Sequence, residues 1–274
     1  MKHACLILAH HQFALLQYLV SQLDDPRNDI YVHMDAKVRE IPELKTEKAE
    51  LHLIRNRVDV RWGDVSVVEA EYALFEAAVQ NGPYAYYHLL SGQDLPLKSQ
   101  EYIHDFFGRN APKEFIGYTL TEMTPELDRK VRRWHLFPED FRNRSRAKRA
   151  LRAAFLRLQE LLGIRRNRGI DFKKGSQWVS VTDAMARLFL KNKAWALKTF
   201  SHTFCSDEVV MQTLCWNSPL RGNLFDTSDD GHGCLRAIGW KDGVLKDWTA
   251  EDLERLRGSD ALFARKFNES VIQR

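Results

Sequence analysis

The stretch "YAYYHLLSGQDLPLKS", Tyr84 to Ser99, decides the fold. Tyr84 to Leu90 is a short run of aromatic and apolar residues, the composition of a buried strand. Ser91 and Gly92 then break the run, and Gln93 and Asp94 put two polar side chains just beyond it. A buried strand ending in a tight polar turn is the place where an α/β sheet presents ligand-binding groups.

Working toward the N-terminus, the same punctuation repeats. "ACLILAH" (residues 4–10) is a short buried strand, and Phe13 to Leu23 follows with helical periodicity. "DIYVHMD" (29–35) and "LHLI" (51–54) read as strands, and Ser66 to Val79 and Tyr102 to Phe107 as helices. Strands alternating with helices predict an α/β fold with a mainly parallel sheet. Ligands then bind outside the carboxyl ends of the strands, which here carry His10, Asp35 and Gly92-Gln93-Asp94. No Gly-rich phosphate loop or Walker sequence occupies those ends.

The C-terminal half is less periodic. "RAKRALRAAFLRLQELLG" (146–163) is a helix with Leu151, Phe155, Leu158 and Leu162 on one face, inside a basic segment running from Arg142 to Arg168. "SQWVSVT" (176–182) reads as a strand and Asp183 to Leu190 as a helix, followed by the polar loop "DTSDDGHGCLRAIGW" and a closing "ALFARKF".

The 274 residues are 44% hydrophobic, enough for a substantial core, and carry a net charge of +4, which suits an anionic ligand such as a nucleotide. No nucleic-acid partner is expected. The N-terminal apolar run is interrupted by His10, His11 and Gln12, unlike a signal peptide, and no window is long and apolar enough to span a bilayer. The expected location is the cytoplasm, with the four scattered cysteines as free thiols.

Single residues read ambiguously. In "FCSDEVVMQTL" (204–214), Ser206 is a good N-cap and Asp207 and Glu208 suit the positive end of a helix, so capping alone accounts for them; one of the two acids is equally placed to act as a base. Asp35 either starts a turn or accepts hydrogen bonds from a uridine. Asp229 and Asp230 in "SDDG" read as a turn rather than a cation site. His10 and His11 are adjacent on a strand end and are expected to point apart, so no metal site is expected. Arg236 and Lys266 are each either snorkelling surface cations or cations aimed at an anion. Trp178 is either core or a sugar platform.

Taken in order, these segments resemble the core-2/I-branching β-1,6-N-acetylglucosaminyltransferase family, which includes peptide xylosyltransferases. "ILAHHQFALL" and "IYVHMDAK" resemble its first two strand ends, and "RWGDVSVVEAE", with Trp62, the segment before its next helix. "HLLSGQDLPLKS" is similar to its SGxDxPL run, "GSQWVSVT" to its Trp strand, "SDE" to its catalytic helix start, "LRAIGW" to its Arg strand and "LFARKF" to its closing Lys motif.

The resemblance implies a GT-A-type α/β fold in a single catalytic domain over 1–274, with a Rossmann-like nucleotide half (about 1–110) merged with an acceptor half (about 111–274). It implies transfer of a sugar from a UDP-sugar, with inversion and no metal cofactor. "RVDVRWGD" carries Asp59-Val60-Arg61 where Asp-x-Asp would hold a metal. By the same resemblance Glu208 is the general base, and Arg236 and Lys266 hold the diphosphate. Leu8, His10, Asp35 and Trp62 lie at the nucleotide, and Asp94 and Trp178 near the transferred or accepting sugar. N-acetylglucosamine is the first-choice donor sugar, with xylose and glucuronic acid as alternatives. The expected acceptor is a glycan or lipid-linked glycan of bacterial surface-polysaccharide synthesis. A competing reading is a non-catalytic module that binds a nucleotide or an anionic glycan. The Arg142–Arg168 segment is read either as a basic helix docked on the core or as a peripheral contact with the inner face of an anionic membrane.

Overall fold

A computed structural model describes residues 2–119, 121–140, 145–241 and 244–272. Strands β1 (His3–Ala9), β2 (Asn28–Met34), β3 (Glu50–Leu53), β4 (Tyr86–Ser91) and β6 (Ser180–Thr182) form one sheet in the order β3-β2-β1-β4-β6. The first four run parallel and β6 runs antiparallel to β4. β2 and β3 lie on one side of β1 and β4 on the other. The strand order therefore reverses at β1, and the crevice of a parallel sheet opens at that point.

Alternation along β1 explains the layers. Ala4 and Leu6 point into one apolar cluster, with Val68, Tyr72 and Phe75 of α2 (Ser66–Asn81), Met185 and Phe189 of α6 (Asp183–Lys191) and Val210 and Leu214 of α8 (Val210–Trp216). Cys5, Ile7 and Ala9 point into the other, with Leu15, Leu16 and Leu19 of α1 (Phe13–Gln22) and Ile103 and Phe107 of α3 (Gln100–Asn110). A strand with apolar residues on both faces belongs between two helical layers. Each such side chain, fully buried, contributes roughly 1.5–3 kcal/mol.

Local chemistry sets the boundaries. Ser99 caps α3 by accepting from the Tyr102 amide at 3.2 Å, and Thr182 caps α6 through the Met185 amide at 3.3 Å. Helices α4 (Pro125–Val131), α5 (Arg146–Leu161) and α7 (Lys193–Phe200) lie along the C-terminal half. A second sheet joins β5 (Leu95–Pro96), β10 (Phe263–Arg265) and β7 (Arg236–Ile238), while β8 (Trp240–Lys241) and β9 (Val244–Leu245) make a small hairpin. The expected loop at 226–240 contains a five-residue helix, α9 (Asp230–Cys234), capped by Asp229 at the His232 amide, 2.7 Å.

Two expectations change here. The strand expected over Ser176–Thr182 pairs only from Ser180, because the chain before it hydrogen-bonds elsewhere: the Gly175 amide donates to the Glu208 carbonyl (2.9 Å) and the Ser176 amide to Asp230 (2.8 Å). The expected helix start at Ser206 is a 3-10 turn, Ser206–Glu208, entered through Cys205 in the left-handed region (φ 46°). Ser206 does not cap it: its hydroxyl is buried without a hydrogen-bond partner.

Candidate active site

The carboxyl ends of the central strands form one wall. The Gly92 amide donates to the Leu8 carbonyl at 2.9 Å, so the turn after β4 lies directly on the end of β1. A Cβ at Gly92 would meet Ala9 Cβ at 3.3 Å, which is why this turn favours glycine. Leu8 is half-buried, opposite His33 of β2 and Ser91 of β4. His10 stands exposed just beyond, and its ring stacks on His11 at 4.0 Å instead of pointing away, because both residues already lie past the strand. Partial desolvation of the ring, then the neighbouring His11, hold His10 below the usual histidine range against the Asp35 charge.

Asp35 is nearly buried and accepts from its own turn, from the Lys37 amide (2.8 Å) and the Lys37 ammonium (2.9 Å). Lys37 also reaches Asp59 at 2.8 Å and so ties the 58–64 loop to the end of β2. At the far side of that loop the Gly63 carbonyl accepts from the Cys205 amide at 2.8 Å. Trp62, about half exposed, is carried between Asp35 and the Glu208 turn.

Glu208 is 38% exposed and accepts from Lys130 Nζ at 3.1 Å, with Lys174 Nζ at 3.6 Å. Its main chain is fixed by the Gly175 amide. A Cβ at Gly175 would lie 1.9 Å from the Gly117 carbonyl, so only glycine lets that segment cross at this depth. Asp207 turns the other way. Burial and the adjacent Glu208 charge push its carboxyl up to about 6, and its Oδ1 has no hydrogen-bond partner. Beneath it lies Glu71, buried and bonded to Gln177 at 2.7 Å; burial first, then the Asp207 charge, pushes Glu71 well up.

Between these walls lies Arg265. Its guanidinium sits 4.0 Å over the Trp178 ring and 3.4 Å from Asp94, which is fully buried and also accepts from the Ser91 amide (3.0 Å) and hydroxyl (2.5 Å). Burial lowers the Arg265 pKa, while Asp94 and Asp207 act to raise it. Asp94, Arg265 and Trp178 thus form one assembly reaching toward the Glu208 turn.

The two cations singled out in sequence occupy different depths. Lys266, next to Arg265, is partly exposed and pairs with Asp247 at 3.3 Å. Arg236 is 2% exposed. It donates to the carbonyls of Cys234 (2.7 Å) and Val179 (3.0 Å) and to the Ser180 hydroxyl (3.0 Å), and its guanidinium lies 4.5 Å over Phe263. In this arrangement it braces β7 against the main sheet and faces no open space. Lys130, Lys174, Arg265 and Glu71 were missed in sequence. Only Arg265 carried a signal, as the neighbour of Lys266; the lysines meet Glu208 across long separations that no local pattern records.

Among the described residues no group of three or more His, Cys, Asp or Glu side chains gathers as a metal site, and Asp229 and Asp230 are spent on the α9 cap and the Ser176 amide.

A family model described as Core-2/I-Branching enzyme matches residues 4–257. No curated protein matches the chain. Among solved structures 24 chains match, including mouse xyloside xylosyltransferase 1 in its apo form, 12% identical, covering 96% of each chain with a TM-score of 0.39.

Proposed function

We propose that this chain, which belongs to the Core-2/I-Branching enzyme family, transfers a sugar from a UDP-sugar to a hydroxyl of a glycan acceptor, with inversion and with Glu208 as the base. It is a glycosyltransferase, and its α/β architecture is of the GT-A type. The observation that carries the finer reading is the setting of Glu208: a partly exposed carboxylate on a rigid turn, held by two lysines, beside a crevice at the reversal point of a parallel sheet.

The chemistry follows from charge. The diphosphate leaving group gains negative charge as the glycosidic bond breaks, and preorganised cations must meet it. In this reading Lys266, partly exposed, and Arg265 beside it meet that charge, with Arg236 as a buried brace behind them. Arg265 offers a planar fork and Lys266 a mobile point charge. The acceptor hydroxyl must lose its proton as it attacks the anomeric carbon from the face opposite the diphosphate, and Glu208 takes it. One displacement inverts the centre. Leu8, His10, Asp35 and Trp62 contact the nucleotide in this reading, and Asp94 and Trp178 the sugars. N-acetylglucosamine is the donor sugar tested first, ahead of xylose and glucuronic acid, and the acceptor is a glycan, free or lipid-linked.

The test is UDP release from a panel of UDP-sugars with glycan acceptors in EDTA, with NMR of the product anomer. The reading expects UDP release from one donor and a product inverted at the anomeric carbon. A chain that binds UDP yet releases none from any donor would be a binding module instead.

A further inference from the structure

Helix α5 packs by its polar side chains. Buried Arg152 donates to the carbonyls of Leu136 (3.2 Å), Phe137 (3.0 Å) and Asp140 (2.6 Å). Buried Gln159 accepts from the Trp134 amide and donates to the Trp134 carbonyl, both at 2.9 Å. The core-docked arrangement considered from sequence therefore does not hold: Leu151, Leu158, Leu161 and Leu162 are exposed, Leu161 to 85%, with Phe155 half-buried at their edge.

Helical spacing sets Leu151, Leu158 and Leu162 in one line, with Leu161 beside it. Arg146 and Arg157 lie together on the Leu161 side of that stripe, Arg149 lies on the opposite face of the helix, and no described acid pairs with any of the three. Lys148 pairs with Asp140, and the one acid on the helix, Glu160, pairs with Arg129 at 3.0 Å. The unpaired charge of this face is therefore purely positive. Arg142 and Arg144 lie outside the described residues.

We propose that α5 docks on an anionic bilayer, lying in the headgroup plane with the four leucines inserted and Arg146 and Arg157 at the lipid phosphates. An exposed apolar stripe edged by unpaired arginines has the composition of an interfacial helix. The same charge disfavours a second copy, whose like face would bring arginines against arginines. Among the described residues no helix is long and apolar enough to cross a membrane, so α5 lies on the surface.

The inference rests on the transferase reading for its purpose. Arg129 of α4 grips Glu160 of α5, and the next residue, Lys130, grips Glu208. The docking helix and the base share one short support, so an acceptor whose lipid lies in the same surface approaches on the side of Glu208.

Sedimentation with vesicles of phosphatidylglycerol mixed with phosphatidylcholine, against phosphatidylcholine alone, tests it on the full chain. Binding is expected with the anionic vesicles at low salt and is expected to fade as salt screens the arginines. Leu158→Ser with Leu161→Ser should weaken it by roughly tenfold or more, since each leucine loses its apolar burial. Arg146→Ser with Arg157→Ser should weaken it about fivefold per residue. Turnover of a soluble acceptor should stay unchanged in both variants, which shows that they remain folded. No binding to anionic vesicles at low salt, full binding by the leucine variant, or a solution dimer that the leucine variant dissociates would overturn the proposal. Absence of UDP release from every donor would instead sink the transferase reading and leave the vesicle result standing.

Discussion

Lys130 and Glu208, 78 residues apart in the chain, are joined by a 3.1 Å charged hydrogen bond. The lysine side chain is 14% exposed and the glutamate 38%, so the pair sits at a rim with the carboxylate facing outward. Such a contact fixes the carboxylate's direction more than it stabilises the fold, because partly exposed pairs are worth about 1 kcal/mol or less.

Replacing Glu208 by Gln keeps the size and the hydrogen-bonding capacity but removes the base. A loss of ~10²–10⁴ in kcat is expected, with UDP affinity little changed. Steady-state kinetics beside calorimetric UDP titration check it, and near-normal turnover in the variant would withdraw Glu208 from the role.

Lys266→Ala should weaken UDP binding without lowering thermal stability, since the lysine is partly exposed and held only by Asp247. Wild-type activity should persist in EDTA. Complete loss in EDTA with recovery on adding Mn²⁺ would show that a metal, and not these cations, meets the diphosphate.

Asp94→Ala removes the fully buried partner of Arg265, whose side chain is 15% exposed. Breaking a buried pair costs about 3–5 kcal/mol, because Arg265 keeps its charge in a poorly hydrated place. At roughly 2–4 °C per kcal/mol for a chain of this size, a Tm fall on the order of 10 °C is expected by calorimetry. A Tm within a degree of wild type would mean that the Asp94–Arg265 pair contributes little.

Glu114 supplies a pH dependence. It is fully buried, accepting from the Thr182 amide and hydroxyl, and burial pushes its carboxyl up to about 7 from the ordinary 4.5. A folded pKa above the unfolded one means stability that is complete below about 4.5 and is lost as pH rises through about 7. Glu114→Gln has no such loss. Its Tm relative to wild type should therefore rise between acidic and mildly alkaline pH, by the equivalent of about 3 kcal/mol. A difference that stays flat across that range would show that Glu114 ionises alike in the folded and unfolded chains, its pKa not raised by folding.

The sheet and its crevice are legible in the chain's own pattern. Alternating apolar runs and polar strand ends mark β1, β2 and β4 and put His10, Asp35 and Asp94 at those ends, while Leu8 is indicated by the family resemblance alone. The signal is local, because a side-chain period of two or of 3.6 is written within a dozen residues. The remaining features depend on how the folded chain satisfies its buried groups. Ser206 has the identity of a cap, yet the left-handed Cys205 turns its hydroxyl inward. Arg236 and Arg265 look alike in sequence, and which one is spent on carbonyls depends on strand β6, more than fifty residues from either. The leucine stripe of α5 predicts a buried face, but Arg152 and Gln159 find carbonyl partners on the segment before it and rotate the stripe outward. For Arg236 and for α5 the deciding contacts lie beyond the span of a local period, and the buried donors settle where carbonyls can satisfy them. Local periodicity holds no record of that.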